Sequence, residues 1–408
     1  MVLVPGVDYW CQVWTMKQTS SASLLRERKD GSEARVGSVE LFFDLVFVFA
    51  VTQLSHFLLH HLTPLGAVQT CLLLMAVWWV WIYTSWVTNW LDPDKTQVRV
   101  MLFLLMLAGL VLSISLPEAF AERGLTFAAA YASMQVGRSL FALWAFERAG
   151  RPADAKNFQR IIIWLSVSAL FWIFGGLAAP APRLGLWAVA LAIEYTGPAV
   201  GFFVPGLGRS ETTDWAIEGG HLAERCGLFV IIALGESILV TGATFADLEW
   251  TWPAAAAFVT ALAGSIAMWW VYFNVGAERG SKQIEHSDDP GRIGRFAYTY
   301  VHLLLIGGII LTAVGDEIML SHPEGHAEIR TTIPVVGGPA LYVAGNLLFK
   351  YAISGRWQLS HLVGLSLFAL AALLARDASP LVLGALATAV LIVVAGWETR
   401  SIGDRARR

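Results

Sequence analysis

The chain has 408 residues, of which 56% are hydrophobic and only 14% charged, and its formal net charge is −3. Soluble domains carry about 25% charged residues, so an ordinary soluble fold is excluded, and so small a net charge gives no basis for a nucleic-acid partner. What remains is an all-α polytopic membrane protein. In chain order, twelve apolar runs separated by polar breaks are predicted as transmembrane helices, at 38–61, 66–90, 98–117, 125–147, 159–179, 183–204, 219–243, 252–275, 296–318, 332–352, 357–376 and 379–397. Each approaches the roughly 20 apolar residues that a bilayer crossing needs. AAPAPRL separates the fifth and sixth runs and RDASP the last two, so both pairs are expected to be tight hairpins.

Residues 1–35 form a polar leader and 399–408 a basic tail. Met16 is an alternative start, which would make the first fifteen residues an upstream extension. Cys11, Cys71 and Cys226 lie far apart with no metal or redox spacing. If the leader is cytoplasmic, one side of the membrane collects 22 Lys and Arg residues, Lys350 among them, and the other only 4. Cytoplasmic loops keep positive charge, so both termini are placed inside. The longest inner loop, 276–295, reads as a plain connector.

The two halves repeat each other in order. LVFVFAVTQ at Leu45 aligns with LFVIIALGE at Leu228, placing Gln53 opposite Glu236. WWVWIY at Trp78 aligns with WWVYFN at Trp269. LMLAGLVLSISLPE, ending at Glu118, aligns with LLIGGIILTAVGDE, ending at Glu317. GRSLF at Gly137 aligns with GNLLF at Gly345. Residues 36–206 and 207–398 are therefore two six-helix repeats. An even number of crossings per repeat relates them in parallel, about an axis along the membrane normal, and sites in such molecules lie between the repeats.

Ionisable residues at membrane depth mark functional candidates, because a charge at the bilayer centre costs roughly 2.5–3.5 kcal/mol. Glu40 and Asp44, at i and i+4, share one face of the first segment. The seventh segment, which heads the second repeat, holds His221, Glu224, Arg225 and Glu236. Arg225 and Glu236 share a face but lie roughly 16 Å apart along the axis, so each needs partners elsewhere, and Arg225 suits Glu40 or Asp44 as a guanidinium–carboxylate fork. Glu236, deep in an apolar run, suits proton carriage or cation binding. Arg138 and Glu194 are secondary candidates. His302 shares a face with Asp316, while Asp316 and Glu317 are placed at the outer edge. The tryptophans at segment ends, including Trp78, Trp79, Trp81, Trp86, Trp90, Trp250, Trp252, Trp269 and Trp270, read as interfacial belts. No nucleophile–base pair, Walker motif or dinucleotide fingerprint forms a coherent constellation, so no enzyme, cofactor or metal is expected.

VELFFDLVFVFAVTQLSH, with Glu40, Phe42, Phe43, Asp44, Leu45, Val46 and Phe47, resembles the bacterial low temperature requirement A (LtrA) family. ERCGLFVIIALGESIL, with Glu224, Arg225, Leu228, Phe229, Gly235 and Glu236, carries the same resemblance, which runs from about Arg35 to near residue 400. It implies a multi-pass protein of the bacterial inner membrane, named for growth in the cold, and assigns no catalytic residue. Phe42-Phe43-Asp44 is also loosely similar to the Phe-Ser-Asp of the lysosomal potassium-channel family, over that one helix. The expected function is a transporter or ion- or proton-conducting protein, its path lined by Glu40, Asp44, Arg138, Glu194, Glu224, Arg225 and Glu236. Its partners are membrane lipid and an unidentified small solute or ion, and its oligomeric state stays open. A structural or sensory protein and an intramembrane lipid-modifying enzyme are the alternatives.

Overall fold

A computed structural model describes residues 23–26, 36–215, 217–374 and 377–406. Met16, Cys11 and the remainder of the leader lie outside the described residues. The helices are α1 (Ser38–His60), α2 (Pro64–Trp90), α3 (Thr96–Ser115), α4 (Gly124–Arg148), α5 (Pro152–Leu177), α6 (Pro180–Ala199), α7 (Gly219–Ala246) and α8 (Trp252–Tyr272). They continue as α9 (Glu278–Glu285), α10 (Pro290–Ser321), α11 (Ile329–Ser354), α12 (Leu359–Leu374) and α13 (Pro380–Ala406). Every predicted segment is thus a helix, and the described residues contain no β-strand.

Nine of these helices, among the described residues, are long and apolar enough to cross a membrane. Of the twelve predicted segments, the three that fall short have identifiable causes. Gln135, Arg138, Glu147 and Arg148 dilute α4, while Arg183 and Glu194 dilute the 20-residue α6. With 16 residues, α12 spans only about 24 Å at 1.5 Å per residue.

Helix starts follow ordinary capping chemistry. Thr63 and Thr251 accept from Gly66 N and Ala254 N to start α2 and α8, each followed by a proline in the first turn. α5 and α6 are joined through Ala178 and Ala179 alone, the tight hairpin expected. Buried Arg183 closes it, donating to the carbonyls of Ala119, Ala121, Gly175 and Ala178. Helix neighbours follow one pattern in both halves: α1 packs on α2 and α3, α3 on α4, and α2 on α6, while α7 packs on α8 and α10, α10 on α11, and α8 on α13. Where α10 meets α11 the backbones touch. A Cβ on Gly308 would lie 2.5 Å from Tyr342 N, and one on Gly338 would lie 2.5 Å from Thr312 N.

Three expectations need correction. Trp78, Trp79 and Trp81 are wholly buried, not interfacial, whereas Trp250 and Trp252 are 84% and 90% exposed, as a belt requires. The loop 276–295 is more than a connector, because α9 buries Ile284 against Gly219 at the start of α7. Lys350, counted among loop charges, lies inside the bundle with only 6% exposure. Leader residues 23–26 also pack on the bundle: Arg26 N bonds Trp90 O at 2.8 Å, Asp92 N bonds Leu24 O at 2.9 Å, and Leu24 is buried.

Candidate functional site

Glu40 sits in the first turn of α1, where its Oε2 accepts from Gly37 N at 2.8 Å, a position that the helix dipole favours for a carboxylate. One turn on, Asp44 projects from the same face. Against that face packs α7, and Arg225 divides its guanidinium between the two acids: Nη1 reaches Glu40 Oε1 at 3.0 Å and Nη2 reaches Asp44 Oδ1 at 2.6 Å. All three side chains are fully buried. The pairing expected from residue type alone is present, and it joins the heads of the two halves.

The site holds more than the sequence indicated. Arg26 comes from the leader and places Nη2 2.7 Å from Glu40 Oε2, while its Nε donates to the carbonyls of Thr88 and Leu91. His221 Nε2 stands 3.0 Å from Glu40 Oε1, and its Nδ1 lies 3.3 Å from the amide of Asn89. Asn89 is itself locked by two bonds to the Glu218 backbone. Arg26 Nη2 also lies 3.1 Å from His221 Nε2. Trp81 Nε1 donates to Asp44 Oδ1 at 2.8 Å, and Thr88 Oγ1 accepts from Arg225 at 3.2 Å. Two carboxylates therefore face two guanidiniums, with the His221 imidazole between Glu40 and Asn89. The Asp44 Oδ2 and Arg225 Nε atoms are buried without a hydrogen-bond partner among the described residues.

Arg138 and Glu194 belong to a second network. Glu194 takes four neutral donors: Tyr131 (2.5 Å) and Gln135 (2.9 Å) on Oε2, Ser168 (2.5 Å) and Trp172 (3.0 Å) on Oε1. Gln135 Oε1 accepts from Arg138 Nη2 at 2.5 Å, and Arg138 Nη1 reaches Val80 O and Thr84 Oγ1, both at 3.1 Å. α2 links the two networks, because Trp81 and Thr88 face the first and Val80 and Thr84 the second. A third cluster was not anticipated: Lys350 Nζ lies 2.6 and 2.7 Å from the two Glu398 oxygens, 2.9 Å from Val271 O and 3.3 Å from His361 Nε2.

Glu224 is exposed and accepts from Val36 N at 3.2 Å, apart from the buried group. Glu236 is buried with 5% exposure and has no hydrogen bond or ion pair among the described residues. Asp316 is half-buried, with Ser237 Oγ 3.5 Å away. His302 is buried and bonded to Tyr272 at 2.8 Å rather than to Asp316. Signals for the missed residues existed in places. Trp81, Thr84, Ser85 and Thr88 form a polar stripe at i, i+3, i+4 and i+7, as do Tyr131, Gln135 and Arg138. For Arg26 there was none, since a leader charge ordinarily belongs to water.

Fold and site together define a polytopic helical membrane protein whose halves meet at a buried, charge-balanced carboxylate–guanidinium network. Residues 35–396 match the family described as Bacterial low temperature requirement A protein (LtrA), and the chain belongs to that family. It is 44% identical over 388 residues to a protein of Rhizobium meliloti (strain 1021) described as uncharacterized, covering 94% of this chain and 93% of that relative. No solved structure matches it.

Proposed function

We propose that the protein is a transporter or ion- or proton-conducting protein rather than an enzyme, with its site between two six-helix repeats that each cross the bacterial inner membrane six times. The positive charge collected on the leader side supports cytoplasmic termini. The shared order of helix neighbours supports the parallel repeat. The observation that carries the reading is Asp44, whose carboxylate is fully buried with one oxygen committed to Arg225 and Trp81 and the other without a partner among the described residues. A buried acceptor left unmade costs about 1–3 kcal/mol; a small cation arriving at Oδ2 removes that cost, and a proton arriving there removes the buried charge. Arg225 then serves as the gate, held by both acids when the site is empty and released from Asp44 when it fills. Glu236, roughly 16 Å further along α7, is the next carboxyl on the route.

The same network also favours a structural reading, since it ties leader, α1, α2 and α7 together. Proton and cation flux into proteoliposomes separates the two. Asp44→Asn is expected to lower flux at least about ten-fold, the equivalent of 1.4 kcal/mol on the limiting step, while the protein remains folded, with Glu236→Gln also impaired. Wild-type flux that persists unchanged in both variants would remove the conducting assignment. Altered thermal stability with no flux in any form would leave the structural reading.

A further inference from the structure

On the side of the bundle where the leader lies, the end of α2, the start of α5, the α6–α7 connector and the start of α10 line a cleft open at one side, with about 630 Å³ of non-atom space when the open mouth is included. Its walls come from both halves. Tyr83, Trp86 and Trp90 reach in from α2, Phe202 and Trp215 from the connector, and Arg295 from α10. Trp215 makes the corner of an aromatic box, its ring centroid 6.1 Å from Trp86 at 87° and 5.8 Å from Trp90.

The polar wall atoms decide what the box accepts. Most are already engaged: Trp86 Nε1 donates to Thr299 Oγ1 at 3.0 Å, Thr299 in turn to Gly294 O, and the Ser210 and Thr212 hydroxyls to Gly201 O and Asp289. Two groups keep capacity. Arg295 spends Nη1 on Pro198 O at 2.8 Å, and its other N–H groups have no partner among the described residues. The Tyr83 hydroxyl likewise has no hydrogen bond among the described residues. Glu211, also on the wall, is exposed, where water screens its carboxylate. Arg295 and Thr299 both lie in a π-helical stretch, Gly294–Val301, and such stretches are frequent at functional sites. The widened turn turns both residues toward the cavity.

We propose that this cavity binds a small planar organic anion, an aromatic carboxylate, with its ring on the tryptophan corner and its carboxylate on Arg295 and Tyr83. As the cargo of a conduit, the anion rests on the transport reading above; as a bound ligand it does not. Ring stacking supplies apolar burial, and the guanidinium fork supplies selection for a planar anion.

Benzoate titrated into the purified full-length protein is expected to change tryptophan fluorescence saturably, with Trp215→Phe identifying the reporting ring. Benzylamine, the same ring with the opposite charge, should bind at least about ten-fold more weakly. Arg295→Gln should weaken benzoate about ten-fold, and Tyr83→Phe, which removes only a hydroxyl, about three- to ten-fold. No saturable signal, equal or tighter binding of benzylamine, or full benzoate affinity in both variants would each overturn the proposal. Benzoate binding without benzoate uptake into proteoliposomes would keep the site and count against the transport reading.

Discussion

Replacing Arg225 with methionine is expected to cost about 3–5 kcal/mol of stability, because it leaves a buried carboxylate without its countercharge. The two acids do not suffer equally. Glu40 keeps Arg26 at 2.7 Å, His221 at 3.0 Å and the Gly37 amide at 2.8 Å. Among the described residues Asp44 keeps only the Trp81 indole at 2.8 Å, with its other oxygen still unpaired. Neutralising the stranded acid should therefore restore most of the loss. The double variant Arg225→Met with Asp44→Asn is expected to unfold at a higher temperature than Arg225→Met alone, while adding Glu40→Gln instead should give little recovery. Thermal unfolding in lipid–detergent micelles reads all four proteins. Equal rescue by the two partner substitutions would show that Arg26 does not neutralise Glu40, and the charge balance drawn here would fail.

That asymmetry also shows where the sequence stops informing. Glu40, Asp44 and Arg225 could be matched from residue type and helical spacing, because few charges lie at membrane depth and each needs an opposite. Their surroundings could not be matched so. The direction in which a side chain leaves its helix relative to other helices is a property of packing, so Trp81 and a belt tryptophan look alike in a string of residues. Trp81 is buried because α2 is enclosed by α1, α7 and α10, and its indole N–H then finds Asp44. Lys350 misled for a similar reason. A lysine near a helix end ordinarily extends to the interface, but here Glu398 on α13 and His361 on α12 draw it inward. Each half thus buries a glutamate on its last helix, Glu194 held by Tyr131, Gln135, Ser168 and Trp172 from the two preceding helices, and Glu398 held by Lys350, which His361 contacts in turn. Because the holding residues differ in kind, no alignment of letters would pair them.

Gly308→Ala is the second substitution expected to do large damage, and its counterpart in the first half supplies the contrast. The aligned segments LMLAGLVLSISLPE and LLIGGIILTAVGDE place Gly109 opposite Gly308, and GRSLF with GNLLF place Met134 opposite Tyr342. In space the same partners meet: a Cβ on Gly109 would approach the Met134 methyl at 3.4 Å and Val46 Cγ1 at 3.1 Å, whereas one on Gly308 would lie 2.5 Å from Tyr342 N and 2.7 Å from its Cα. Small residues let membrane helices approach to backbone contact, and of these two aligned contacts only the one at Gly308 uses the full approach. The Met134 side chain is flexible and can withdraw, while the Tyr342 backbone moves only if α11 moves. Overpacking costs about 1–3 kcal/mol or more, against the roughly 0.5–1 kcal/mol that alanine gains over glycine within a helix. Gly308→Ala should therefore lower the unfolding temperature clearly, Gly109→Ala should leave it nearly unchanged, and Gly307→Ala controls for helix propensity, since its nearest neighbour is a Leu74 side-chain carbon at 3.3 Å. If Gly308→Ala proves as mild as Gly307→Ala, the close α10–α11 contact is not what holds the second half together. A Gly109→Ala loss equal to that of Gly308→Ala would instead mean that both halves close to the same backbone distance.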